Sequence, residues 1–63
     1  MKVYRLKKQF KGYKKGTHFY LVAQSEFIGV KEFVLRTKDL TDHLSLSEAE
    51  FLTYFTFLKD SYQ

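Results

Sequence analysis

Residues 45–61 read Ser-Leu-Ser-Glu-Ala-Glu-Phe-Leu-Thr-Tyr-Phe-Thr-Phe-Leu-Lys-Asp-Ser, and taking this run as a helix decides the fold class. Ser45 and Glu48 stand at capping-box spacing, with Ser47 as a competing N-cap. At about 100° per residue, Phe51, Phe55, Leu58 and Tyr62 fall in one narrow sector, flanked by Leu52 and Tyr54. Such a stripe suits docking on a sheet. Glu48 and Glu50 in the first turn and Lys59 near the end suit the helix dipole. The spacing therefore predicts a helix over about 48–61.

Everything before this segment reads as strand and turn. Residues 17–24 form the clearest strand, with Phe19, Leu21 and Ala23 on one face and His18, Tyr20, Val22 and Gln24 on the other. Apolar groups on both faces mark it as central. Ser25-Glu26 is the expected turn, and residues 27–37 return as a third strand that Gly29 bends or splits. Phe33 and Leu35 face inward there, and Glu32, Val34 and Arg36 face outward. Residues 3–10 give a strand with Tyr4, Leu6 and Phe10 on one face and Arg5 and Lys7 on the other, interrupted at Lys8. Residues 11–16 form a glycine-bracketed loop, and residues 38–44 form a polar connection.

The expected class is α+β: a small antiparallel sheet of three to four strands, packed by one C-terminal helix. Residues 3–40, with Gly12, Gly16 and Gly29 beside their aromatic neighbours, resemble SH3-like small barrels. That resemblance implies a partial barrel as the alternative to a simple meander. The chain also resembles short uncharacterised cyanobacterial proteins, which implies no activity.

At 63 residues the chain is expected to form one domain with a marginal core. Without cysteine no disulfide can staple it, and two histidines alone rarely hold a structural zinc. Seven Phe and five Tyr supply the mass such a core needs. Neither a signal peptide nor a membrane-spanning run is visible, and a cytoplasmic location is expected.

Catalytic constellations are missing. Ser25, Ser45, Ser47 and Ser61 have ordinary turn, cap or helix-end roles, and His18 and His43 read as strand and loop histidines. Asp39, Asp42 and His43 are too sparse for a metal site, and no cofactor is called for. Gly12-Tyr-Lys-Lys-Gly16 lacks the Gly-Lys-Ser/Thr ending of a P-loop. A non-catalytic binding module is expected.

Charge points to partners. Seven of eleven basic residues lie in the first fifteen positions, and no acidic residue precedes Glu26. That asymmetry predicts a basic surface of Arg5, Lys7, Lys11, Lys14 and Lys15, with Tyr13 and Tyr20 among the charges. An acidic protein surface or nucleic acid, RNA or a single strand, would meet it. Phe57 points away from the apolar stripe and Tyr54 lies on its boundary, and together they mark a second surface, for a protein partner or a homodimer.

Overall fold

In the computed structural model, which describes residues 1–39 and 41–61, turn geometry decides where each strand stops. The elements in chain order are β1 (Lys2–Leu6), β2 (His18–Phe27), β3 (Val30–Thr37), β4 (His43–Ser47), α1 (Glu48–Tyr54) and β5 (Phe55–Asp60). All neighbours are antiparallel, in the order β4-β3-β2-β1-β5. The sheet has five strands rather than three or four, and it does not close into a barrel: β4 and β5 are its two edges.

The main correction concerns residues 48–61. The helix ends at Tyr54, where Phe55 takes extended backbone (φ −123°, ψ 149°) and starts β5. Phe55, Thr56 and Phe57 are aromatic or β-branched and suit a strand. Without β5, β1 would present a row of unpaired backbone groups. Pairing from Lys2↔Asp60 to Leu6↔Phe55 satisfies them. Phe51 and Phe55 are both buried as the stripe required, one from the helix and one from the strand. Leu58 falls at a register shift and is partly exposed, and Tyr62 lies outside the described residues. The capping box is Ser47 with Glu50: the Glu50 amide donates to Ser47 Oγ at 3.2 Å, and the Ser47 amide donates to Glu50 Oε1 at 3.1 Å. Ser45 is a β4 residue whose hydroxyl donates to Glu32 at 2.6 Å.

The second correction is the β2–β3 turn. Ser25 and Glu26 continue β2, paired with Glu32 and Lys31, and the turn is Ile28-Gly29. Both central residues have positive φ, 50° and 76°, as a two-residue type I′ hairpin turn requires. A register shift between Leu21 and Ala23 then inverts the rest of β2. Leu21 pairs with Leu35 on the core face, whereas Ala23 pairs with Val34 on the other, so Leu21 and Ala23 do not share a face. Residues 7–17 connect β1 to β2. Within them Phe10 and Tyr13 exchange backbone hydrogen bonds of 3.1 and 2.9 Å across a second turn of the same kind, Lys11-Gly12. β1 therefore ends at Leu6, short of the expected residue 10.

Leu6, Phe19, Phe33, Leu35, Leu46, Phe51 and Phe55 form the core between the sheet and α1. Phe33 stacks on Phe51 at 4.3 Å, and Phe19 meets Phe55 edge-on at 5.4 Å. Tyr4, Phe10, Tyr13 and Tyr54 seal its margin. No buried side-chain polar atom lacks a partner among the described residues. Ring packing of this density is what a short chain without disulfides relies on.

Candidate functional site

The five expected basic residues do not share one surface. Arg5 pairs with His18 on the face of the sheet away from the core. Lys7 turns toward the helix end: its backbone amide donates to the Tyr54 carbonyl at 2.7 Å and its Nζ to the Leu52 carbonyl at 3.2 Å. Lys11 reaches over the Phe10 ring at 5.5 Å, and Lys8 over the Tyr54 ring at 5.2 Å. Lys14 and Lys15 stand in a turn closed by the Thr17 amide and hydroxyl on the Lys14 carbonyl, at 3.1 and 2.6 Å.

Of the expected rings, Tyr13 is not a free stacking platform. It lies edge-on against Phe19 at 5.2 Å, and its hydroxyl donates to Asp42 Oδ2 at 2.9 Å. Tyr54 is stacked on Phe10 at 4.2 Å. Phe57 is half exposed and touches Tyr4 edge-on at 5.6 Å. Tyr20 sits on the outer face, half-buried between Val3 and Arg36.

Two open hollows mark the surface. One, of about 480 Å³, is lined by Tyr13, Thr17, His18, Thr37, Asp39 and Asp42 among others. Its carboxylates already have structural partners. Asp39 Oδ1 accepts from the Thr37 hydroxyl (2.7 Å), the Thr41 hydroxyl (2.8 Å) and the Thr41 amide (3.1 Å). Those bonds, Thr37 first and then Thr41, hold the Asp39 carboxyl below its ordinary pKa. The hydrogen bond to Asp42 raises the Tyr13 phenol, helped by desolvation and by the charges of Asp42 and Asp39. Among the described residues no three His, Asp or Glu side chains gather as a metal site.

The other hollow, of about 500 Å³, lies at the tip of the β2–β3 hairpin and is lined by Ser25, Phe27, Ile28, Val30 and Glu32. Three apolar side chains there face solvent: Phe27 is 78% exposed, Ile28 84% and Val30 70%. Of the nearby carboxylates, Glu32 lines the hollow, Glu26 pairs across the hairpin with Lys31, and Glu48 forms an ion pair with Lys31 at 3.5 Å. Sequence reasoning missed this site because it placed the turn at Ser25-Glu26. The available signal was Gly29, one residue after an isoleucine and two after a phenylalanine.

The acidic half of the chain also divides. Glu48 lies with the hairpin tip, whereas Asp39 and Asp42 lie beside the lysine-bearing connection through Tyr13 and Thr37. Comparison with known proteins finds no match: neither a family model, a curated protein nor a solved structure matches the chain. Among the described residues no helix is long and apolar enough to cross a membrane.

Proposed function

We propose that the chain is a non-catalytic protein-interaction module, or the accessory subunit of a larger assembly, that docks through the tip of its β2–β3 hairpin. One observation carries this above the rest. Ile28 occupies the first position of a type I′ turn with φ 50° and is 84% exposed. A β-branched residue is strained there, and Asn or Gly would fit without strain. At 84% exposure this side chain adds little to the packing of the fold, which leaves it available to a partner. Phe27 and Val30 beside it extend the apolar patch.

The matching partner is a protein with an apolar cleft rimmed by Lys or Arg, since Glu26, Glu32 and Glu48 outnumber Lys31 around the tip. The lysines of residues 7–17, at the other end of β2, suit an acidic region of the same assembly. The strand order, the long β1–β2 connection and the helix just before β5 support the SH3-like resemblance, in an open form. Fold likeness alone names no ligand. The missing cysteines fit a cytoplasmic setting.

The test compares proteins captured from a lysate of the source organism by immobilised wild type, Ile28→Asn and Phe27→Ser, with solution mass measured in parallel. A partner, or a dimer, kept by wild type and lost by both tip variants supports the proposal. Identical capture by all three chains, with a monomeric mass throughout, sinks it.

A further inference from the structure

We infer that the free edge of β4 is a self-association site, where a second copy of this chain adds its own β4 in antiparallel register and closes a two-fold dimer. The inference goes beyond the hairpin proposal and rests on different residues. β4 stands at one end of the strand order, and no element among the described residues pairs with its second side. Its ladder to β3 is regular from Glu32↔Ser47 to Arg36↔His43. One step beyond, the Thr37 amide donates to the Asp42 carbonyl at 3.1 Å, so Thr37 and Asp42 are a hydrogen-bonded pair. Hydrogen-bonded and non-hydrogen-bonded pairs alternate along an antiparallel ladder. Leu44 and Leu46 therefore bond to β3, while His43, Ser45 and Ser47 turn their backbone groups outward. Ser47 agrees with this phase: its amide donates to Glu50 Oε1 at 3.1 Å, and it caps α1. The amides and carbonyls of His43 and Ser45, both exposed residues, are left facing solvent.

Those groups suit a second copy. Residues two apart that point the same way satisfy one another when two identical strands run antiparallel about a two-fold axis. His43 then exchanges backbone hydrogen bonds with Ser45 of the second copy, and Ser45 with His43 of the second copy. Leu44 lies on the axis and meets its own equivalent as a non-hydrogen-bonded pair, where side chains come closest. Leu44 is half-buried at the margin of the core, so this contact extends the core across the axis. On the opposite face His43 meets Ser45 of the second copy, a hydroxyl that donates to Glu32 at 2.6 Å within each chain. Placing Ser45 on the axis instead would set His43 against the capped Ser47.

The two edges of the sheet are treated differently. β4, His-Leu-Ser-Leu-Ser, carries no Lys, Arg, Asp, Glu or Pro and no bulge. Charges, proline and bulges are the devices by which an edge refuses partners. β5 has two of them, a register shift at Leu58 and Lys59-Asp60 at its end. Association therefore closes at two copies and does not continue from the far edge. A second copy is favoured over an unrelated peptide because it brings its groups at the matching spacing, with no charge on either strand to be desolvated. In such a dimer the two β3 strands run antiparallel, so the two hairpin tips point in opposite directions.

Sedimentation equilibrium from about 10 μM to about 1 mM tests the inference, a range suited to the small interface of one strand pair. Wild type is expected to pass from monomer to dimer across it. Ser45→Pro removes an outward amide but no bond to β3, and is expected to weaken association about tenfold or more. Leu44→Lys and Leu44→Glu are each expected to be monomeric, because like charges meet on the axis, and an equal mixture of the two is expected to restore the dimer. Ile28→Asn is expected to associate within about twofold of wild type, since it lies outside the contact. Circular dichroism checks each fold; if Ser45→Pro unfolds, the Leu44 mixture decides, and if the Leu44 variants unfold, Ser45→Pro decides. A monomer throughout the range overturns the inference. A dimer kept by Ser45→Pro and Leu44→Lys, or lost in Ile28→Asn alone, overturns it as well. Loss of lysate capture by the hairpin variants with self-association intact separates the two sites.

Discussion

Tyr13 and Asp39 show how single side chains tie the polar end of the molecule together, and their titrations make the ties measurable. The phenol of Tyr13 is raised above its ordinary value by its bond to Asp42. A group raised in the folded state stabilises below its unfolded pKa, about 10 for tyrosine, and that contribution disappears as pH rises through the folded value. The urea midpoint of wild type should therefore fall more steeply above about pH 10 than that of Tyr13→Phe. Asp39 behaves in the opposite sense. Its folded pKa is lowered by Thr37 and Thr41, so its contribution is present above the ordinary carboxylate value of about 3.9 and is lost as pH falls through the folded value. Asp39→Asn should remove that acid-sensitive part, and an NMR titration of the Asp39 carboxyl carbon should place its midpoint below that of an unfolded aspartate. Ile28 offers a third test. Exchanging it for Asn relieves a left-handed β-branched residue, a gain of about 1 kcal/mol that raises Tm by about 4–8 °C. A more stable variant that no longer captures a partner would separate folding from docking at one position.

Among the elements, β5 was the least legible. Phe51 and Phe55 are four apart, a spacing that suits one helix face, while Phe55 and Phe57 are two apart, a spacing that suits one strand face. Both patterns coexist in residues 51–57, and nothing local separates them. What separates them is the need of β1 for a second neighbour, which becomes visible only when β1 and β5 are placed side by side. The β2–β3 turn was misplaced for a related reason. Ile28 is a poor turn residue on local grounds, so Ser25-Glu26 drew the expectation away from Gly29. The central strand, the inward placement of Phe19, Phe33 and Leu35, and the outward placement of Arg5, Tyr20 and Arg36 followed from alternation alone. Lys59 and His43 joined that outer surface only through register. Phe55→Ala should cost about 3–5 kcal/mol, because a buried ring contacting Phe19, Phe10 and Phe51 is lost. A chain of 63 residues has about 3–9 kcal/mol in total, so urea denaturation should find a large part of that stability gone in this variant. Phe57→Ser, at a half-exposed site on the same strand, should cost about 1 kcal/mol or less.

On the scale of the whole molecule, β2 joins the two differently charged ends. Its ten residues span at most about 30 Å, from the lysine-bearing connection at one end to the apolar tip at the other. Raising ionic strength should do little to release a protein held by Phe27, Ile28 and Val30, and a salt series on the captured complex would check this. At this scale too the charges redistribute: the lysine-bearing connection lies beside Asp39 and Asp42 through the Tyr13–Asp42 hydrogen bond.

The pairing of β1 with β5 also governs how the molecule comes into being. Lys2 and Asp60 are neighbours in space, and the amino terminus donates to the Ser61 carbonyl at 2.7 Å. β1 precedes β5 in the chain and must therefore wait for it before its second edge is covered. Until then β1 is a template for pairing with another nascent chain. Closing so long a span comes late and is slow, and stopped-flow refolding on the order of milliseconds to seconds would be its signature.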